Sequence, residues 1–230
     1  MPLICENIGF AYPGAGSRLF PGLSFHLARP GFHAFFGPSG VGKTTLAKII
    51  TGDIAEFSGT VSTSGLTTLL YSCNMERLPG WSSVDRHLGR VISPSMRSRK
   101  DELIEAFGLS DCVGSRFGKL SMGQQNRVNL VRYLLQDCGL LVMDESLASV
   151  DESTREKIIL SIKEMFAQRY FIYISHNVLE VARFCDDILV FGNDNKTVHT
   201  TRVKGQNLRQ GHTLSRSQLD ATLLEIMNAA

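Results

Sequence analysis

The nine residues Gly37, Pro38, Ser39, Gly40, Val41, Gly42, Lys43, Thr44 and Thr45 carry the strongest chemical signal in this chain of 230 residues. They fit the pattern G-x-x-x-x-G-K-[ST], with a short apolar strand before it and a helical spacing after it, which is the context the pattern requires. Gly40 and Gly42 let the backbone fold closely enough for successive N–H groups to point into one concavity, and the helix that follows adds the positive end of its dipole. A phosphate belongs there. Lys43 can reach the β- and γ-phosphates, and the Thr44 hydroxyl is placed to ligate a magnesium ion bridging the same oxygens. A second acidic element is needed to hold that ion. Leu140-Leu-Val-Met-Asp-Glu145 supplies it, with four apolar residues of a buried strand ending in two carboxylates. Asp144 would bind the metal's hydration shell, and Glu145 would take a proton from attacking water. A strand-end Asp-Glu pair alone also suits a solvated turn; the phosphate loop gives it a catalytic meaning.

The elements that must position these groups alternate along the chain. Leu3–Ile8 and Leu23–Leu27 alternate apolar and polar residues around a turn-rich Tyr12–Ser17 segment, which predicts antiparallel strands. Gly31–Phe36 reads as a strand, and Thr44–Thr51 as a helix. From Pro79 to Gly118 short amphipathic helical stretches such as Lys100–Phe107 predict a helical insertion. A helix after Gly123, a strand over Leu140–Met143, a helix over Ser153–Phe166, and strands over Tyr170–Ile174 and Ile188–Phe191 follow. Strands alternating with helices imply an α/β fold with a mostly parallel sheet covered on both faces. Gly192–Asn195 reads as a hairpin turn into Thr197–Thr201, and Leu219, Leu223, Ile226 and Met227 are expected on one face of a terminal helix. That face packs on its own domain or, in the alternative, docks a partner.

The chain as a whole restricts the function classes. Its length allows one domain with a sizeable core. With 24 basic and 22 acidic side chains, charge gives no argument for nucleic acid as a ligand. Cys5, Cys73, Cys112, Cys138 and Cys185 are scattered and odd in number, so neither a disulfide framework nor a zinc site is expected, and a reducing cytosol is the natural compartment. The first ten residues lack a signal-peptide pattern, and no apolar run approaches the roughly 18 residues of a membrane helix. No repeat or low-complexity tract is present.

Leu120-Ser-Met-Gly-Gln124 resembles the LSGGQ signature of ATP-binding cassette (ABC) ATPases, and it lies upstream of the acidic strand as it does in that family. Asp144-Glu-Ser-Leu-Ala-Ser-Val-Asp151 resembles the DEPTSGLD run, and Ile174-Ser-His-Asn177 the switch-histidine segment. The resemblance extends to about Phe191. It implies an ABC-type P-loop NTPase core formed by residues 1–75 and 118–230, an N-terminal antiparallel β subdomain, and a helical subdomain at 76–117, all within a single domain. It implies ATP and Mg²⁺ as cofactors, with Lys43, Glu145 and His176 catalytic and Thr44 and Asp144 at the metal. Tyr12 resembles the residue that stacks on adenine; a surface tyrosine beside a Pro-Gly turn is the other reading. Ser121, Gly123 and Gln124 would face the γ-phosphate of ATP held by a second ABC subunit, identical or different. Asp151 would organise that dimer or merely cap a helix.

Three positions depart from the family pattern. Cys73 or Asn74 stands where the family has glutamine; Asn74 keeps an amide carbonyl for magnesium or water on a side chain one methylene shorter. Met122 replaces a glycine, adding bulk near the partner's nucleotide, and Ser146 replaces a proline with an expected mild effect. The resemblance implies a cytoplasmic subunit on the inner face of the membrane, bound to transmembrane permease subunits and to no nucleic acid. Arg77–Asp85 is similar to a segment of nitrate, sulfonate and taurine importers. An exporter subunit and a soluble ABC ATPase are the alternatives, although the chain lacks the heptads and clustered cysteines usual in the soluble class.

Overall fold

The computed structural model describes residues 3–14, 17–74, 76, 78–194 and 197–230. Alternating burial shapes β1 (Leu3–Phe10) and β2 (Phe20–Leu27), which pair antiparallel with Leu3 opposite Leu27 and Phe10 opposite Phe20. β3 (Gly31–Phe36) leads through the phosphate loop into α1 (Lys43–Thr51). β4 (Ser58–Ser62) completes a three-stranded sheet of order β2-β1-β4. Its sequence SGTVS has no apolar alternation and no fully buried residue, so it lacks the pattern that announces a strand. Pairing with β1 creates it.

β5 (Leu69–Cys73) precedes the helical segment, in which α2 (Val84–Val91) and α3 (Lys100–Ala106) are joined by a six-residue 3₁₀ helix and followed by two short 3₁₀ turns. Then come α4 (Met122–Leu134), β6 (Leu140–Asp144), α5 (Glu152–Met165), β7 (Tyr170–Ile174), α6 (Val178–Phe184), β8 (Asp187–Asp194), β9 (Thr197–Lys204) and α7 (Arg216–Ala229). The main sheet has the order β5-β6-β7-β3-β8-β9, parallel throughout except for the antiparallel β8–β9 hairpin. Asn195 of the expected turn lies outside the described residues, as do Ala15, Gly16 and Arg77.

The two-residue period of the strands sorts the core into two layers. Leu140, Val142, Tyr170, Ile172 and Ile174 face the layer that holds Leu46, Ile49 and Ile50 of α1 and the small antiparallel sheet. Leu141, Met143, Phe171 and Tyr173 face the other, with Val131 of α4, Ile158 and Ile162 of α5 and Val181 of α6. Strands buried on both faces read as continuous apolar runs, which is why β6 and β7 show no alternation.

α4 and α5 begin earlier than their sequence pattern suggests, because side-chain caps set their first turns. Ser121 Oγ accepts from the Gln124 N–H at 3.2 Å and Gln124 Oε1 accepts from the Ser121 N–H at 2.9 Å, a reciprocal box that opens α4. Asp151 caps α5 by accepting from the Thr154 N–H at 3.0 Å. At the C-terminus α7 packs on its own domain through buried Ile226 and partly buried Leu219 and Leu223. Met227, expected on the same face, is 67% exposed. Its place next to Ile226, about 100° further round the helix, turns it away. Among the described residues no helix is long and apolar enough to cross a membrane.

Candidate functional site

The C-terminal ends of β3, β6 and β7 open on a cavity of about 450 Å³, whose wall includes Tyr12, Lys43, Thr44, Asp144, Glu145 and His176. Ligands of open α/β sheets bind at this edge. The phosphate loop wraps one side of it. Gly42 there has φ 110°, and a Cβ on it would stand 2.7 Å from the Phe20 ring, so both conformation and packing demand glycine. Lys43 is only 6% exposed, and its ammonium donates to the carbonyls of Gly37 at 2.8 Å and Pro38 at 2.7 Å. Burial pushes its pKa down, while the charges of Asp144 and Glu145 pull it back up. Ser39, Gly40 and Thr45 also line the cavity, whereas the Val41 side chain is buried in the core and offers only its backbone.

Opposite the loop, the Thr44 hydroxyl donates to Asp144 Oδ2 at 2.7 Å. The Tyr71 hydroxyl donates to the same oxygen at 2.5 Å. Burial comes first, and the bond to Asp144 second, among the causes that raise the Tyr71 pKa. These groups form an all-oxygen set, the chemistry a hard divalent cation selects, with nucleotide oxygens and water filling the remaining positions. Thr44 and Asp144 therefore suit a magnesium ion. Tyr71 was not marked by any sequence pattern. It sits opposite Val142 in the β5–β6 pairing, and the next same-face position of β6 is Asp144. A tyrosine reaches that diagonal neighbour.

Glu145 and His176 meet at 2.7 Å, His176 Nε2 to Glu145 Oε1, with both side chains about half exposed to the cavity. Glu145 has φ 50°, a left-handed conformation unusual for its residue type, and its N–H donates to the Ile174 carbonyl at 3.1 Å. A carboxylate touching an imidazole at the mouth of a phosphate-binding cavity can orient a water and accept its proton.

Tyr12 borders the cavity at 50% exposure. Its hydroxyl lies 2.5 Å from Thr45 Oγ1 and its ring packs edge-on to Phe10. It thus stands beside the phosphate loop.

Asn74 is placed differently from the other candidate residues. β5 ends at Cys73, and the Asn74 N–H donates to the Asp144 carbonyl at 3.1 Å, which puts its backbone beside the site. Its amide oxygen, however, accepts from Asn126 Nδ2 of α4 at 2.8 Å, and Asn74 does not line the cavity. The short side chain is thus bonded to α4 rather than turned into the cavity. The next residue described, Glu76, follows the same course, accepting from Asn129 at 3.1 Å, Tyr133 at 2.6 Å and Arg132.

Ser121, Gly123 and Gln124 also lie away from the cavity of their own chain. Ser121 is exposed and Met122 is 62% exposed, while Gln124 is occupied in capping α4. A Cβ on Gly123 would come within 2.8 Å of the Ser149 carbonyl, so the close pass of the 146–151 loop accounts for that glycine. Ser146, in place of a proline, is buried; its hydroxyl donates to the Ser72 carbonyl at 3.1 Å and lies 3.1 Å from the Ser72 hydroxyl.

Comparison with known proteins gives a consistent picture. Residues 20–148 match the sequence family described as ABC transporter. The molybdenum import ATP-binding protein ModC of Mesorhizobium japonicum is 33% identical over 178 residues, covering 68% of this chain and 48% of that protein. The ribose import ATP-binding protein RbsA of Bacillus licheniformis is 28% identical over 210 residues, covering 81% of this chain and 42% of that protein. The chain thus spans about half the length of the curated relatives it matches. A bacterial Atm1-family ABC exporter, solved with ATP bound, superposes with a TM-score of 0.77 at 21% identity over 99% of this chain and 41% of that one. That likeness is one of fold.

Proposed function

The chain belongs to the ABC transporter family, and from that premise we propose that it binds ATP with magnesium and hydrolyses it to ADP and phosphate, powering a membrane transporter as its ATP-binding subunit. The observation that carries the proposal is the convergence on one cavity of Lys43, the Thr44–Asp144 pair and the Glu145–His176 pair. Lys43 leaves the carbonyls of Gly37 and Pro38 to meet the β- and γ-phosphates, which replace two neutral acceptors by charged ones. Thr44 and Asp144 would hold a magnesium ion, whose chemistry would be to neutralise charge on the phosphate oxygens. Glu145 takes the proton of the attacking water, and His176 orients that water and the γ-phosphate. Tyr12 stands where a base can stack.

The exposed Ser121 and the adjacent Gly123 complete the nucleotide site of a second ABC subunit, so two chains close over two ATP molecules. Its partners in the membrane are permease subunits. Import of a small solute is favoured over export by the relatives named for molybdenum and ribose import; the exporter shares the fold alone and has no weight on direction. Glu145→Gln tests the chemistry. It should retain ATP binding and lose about 10²-fold or more in hydrolysis, and normal turnover by that variant would refute the assigned base. Isolation of the native complex should return a multi-span membrane subunit, and a complex without one would favour a soluble ABC ATPase.

A further inference from the structure

Glu180 lies in the first turn of α6 and is only 5% exposed. A carboxylate this deep is costly unless its oxygens are fully engaged. Four side chains engage them. Oε2 accepts from the Tyr173 hydroxyl at 2.8 Å and the Ser175 hydroxyl at 3.1 Å, and Oε1 accepts from Asn177 Nδ2 at 3.1 Å and from Arg155. Ser175 and Asn177 are the immediate neighbours of His176, and Ser175 Oγ also accepts from the Asn177 N–H at 3.1 Å. The loop is therefore pinned on both sides of the one residue whose side chain is left to project into the cavity.

Arg155 extends the arrangement to the other partner of that contact. Its second terminal nitrogen donates to the Val150 carbonyl, at the end of the segment that begins with Glu145. Arg155 thus links the buried Glu180 carboxylate behind His176 to the far end of the segment that carries Glu145. The pair is poorly optimised as a stabilising element, since Arg155 Nε is buried with no hydrogen-bond partner among the described residues, and well-packed apolar residues often replace such pairs without loss of stability. Geometry, then, is what it supplies.

We propose that Glu180 and Arg155 are positioning residues that hold His176 and Glu145 in register for hydrolysis, an inference that rests on the ATPase reading for its effect on turnover. Displacing a catalytic group by about 1 Å can cost on the order of 10²-fold. Glu180→Gln in the full-length chain should therefore lower kcat for ATP by about 10–10²-fold with the KM for ATP unchanged. On a His176→Ala background the same substitution should cost nothing further, because residues acting through one another are not additive. A full Glu180→Gln penalty in the absence of His176, or an unaltered kcat, would overturn the proposal.

A readout without nucleotide keeps the two ideas separate. In Glu180→Gln the His176 ring resonances should move in the direction in which Glu145→Gln moves them, since both changes loosen the same contact. An unmoved ring would overturn the positioning role. A chain inert toward ATP whose ring still moves would overturn the ATPase reading and uphold the positioning. Should Glu180→Gln not fold, Tyr173→Phe removes a single donor while keeping shape, and it should displace the ring resonances by a smaller amount in the same direction.

Discussion

Tyr71 shows at the scale of one side chain what the amino-acid pattern conceals. The convergence of Lys43, Thr44, Asp144 and Glu145 on one cavity was legible because their positions follow from local chain geometry, either a loop entering a helix or the end of a buried strand. Tyr71 acquires its role from parallel pairing with a strand about seventy residues later, and nothing in Leu69–Cys73 announces that register. Its hydroxyl shares Asp144 Oδ2 with Thr44, so it fixes the orientation of the carboxylate proposed to hold magnesium. Partners behind a metal ligand generally contribute 10–10² in affinity, and Tyr71→Phe should raise the magnesium concentration for half-maximal hydrolysis about 10-fold. A titration of rate against magnesium decides this; an unchanged or lowered midpoint would remove Tyr71 from the site. Asn74 illustrates the reverse. Its residue type suited a metal contact, yet Asn126 on α4 competes for the same oxygen at 2.8 Å, and a competitor fifty-two positions away is invisible to motif reading.

Between elements, the bonds joining β5 to β6 matter most, because β5 runs toward the helical segment and β6 carries Asp144. Ser72 and Ser146 meet there, both buried, hydroxyl to hydroxyl at 3.1 Å. The substitution of serine for proline at 146 looked mild in the sequence; in the fold the hydroxyl is half of a buried pair. Ser146→Ala should destabilise the protein by about 1–3 kcal/mol by leaving the Ser72 hydroxyl unpaired, and adding Ser72→Ala should recover much of that loss. Equilibrium denaturation of the two single variants and the double variant measures it, and strictly additive losses would show that the hydroxyls do not interact. Most element types and their order were readable from periodicity, including the strands β3, β6, β7 and β8 and the terminal hairpin. β4 was not, because its five residues owe their conformation to β1, nor was the short α6, and α4 and α5 start earlier than their apolar spacing suggests because Ser121 and Asp151 cap them.

Across the whole molecule, the sheet's two apolar faces make a rigid plate whose edge carries the cavity, with α1 and the antiparallel sheet on one side and α4, α5 and α6 on the other. The plate holds one position in a conformation the chain would not choose. Three non-glycine residues among those described have positive φ; two are asparagines, which tolerate it, and the third is Glu145 at 50°. A left-handed conformation costs such a residue about 1–2 kcal/mol. Glu145→Gly relieves that cost, and the variant should melt roughly 2–4 °C higher than the parent per kcal/mol recovered while hydrolysing no ATP. A calorimetric scan showing an equal or lower Tm would mean that the His176 contact already offsets the strain. If the rise is found, durability and turnover are opposed at a single backbone angle, and selection for heat tolerance alone would discard the proton acceptor first.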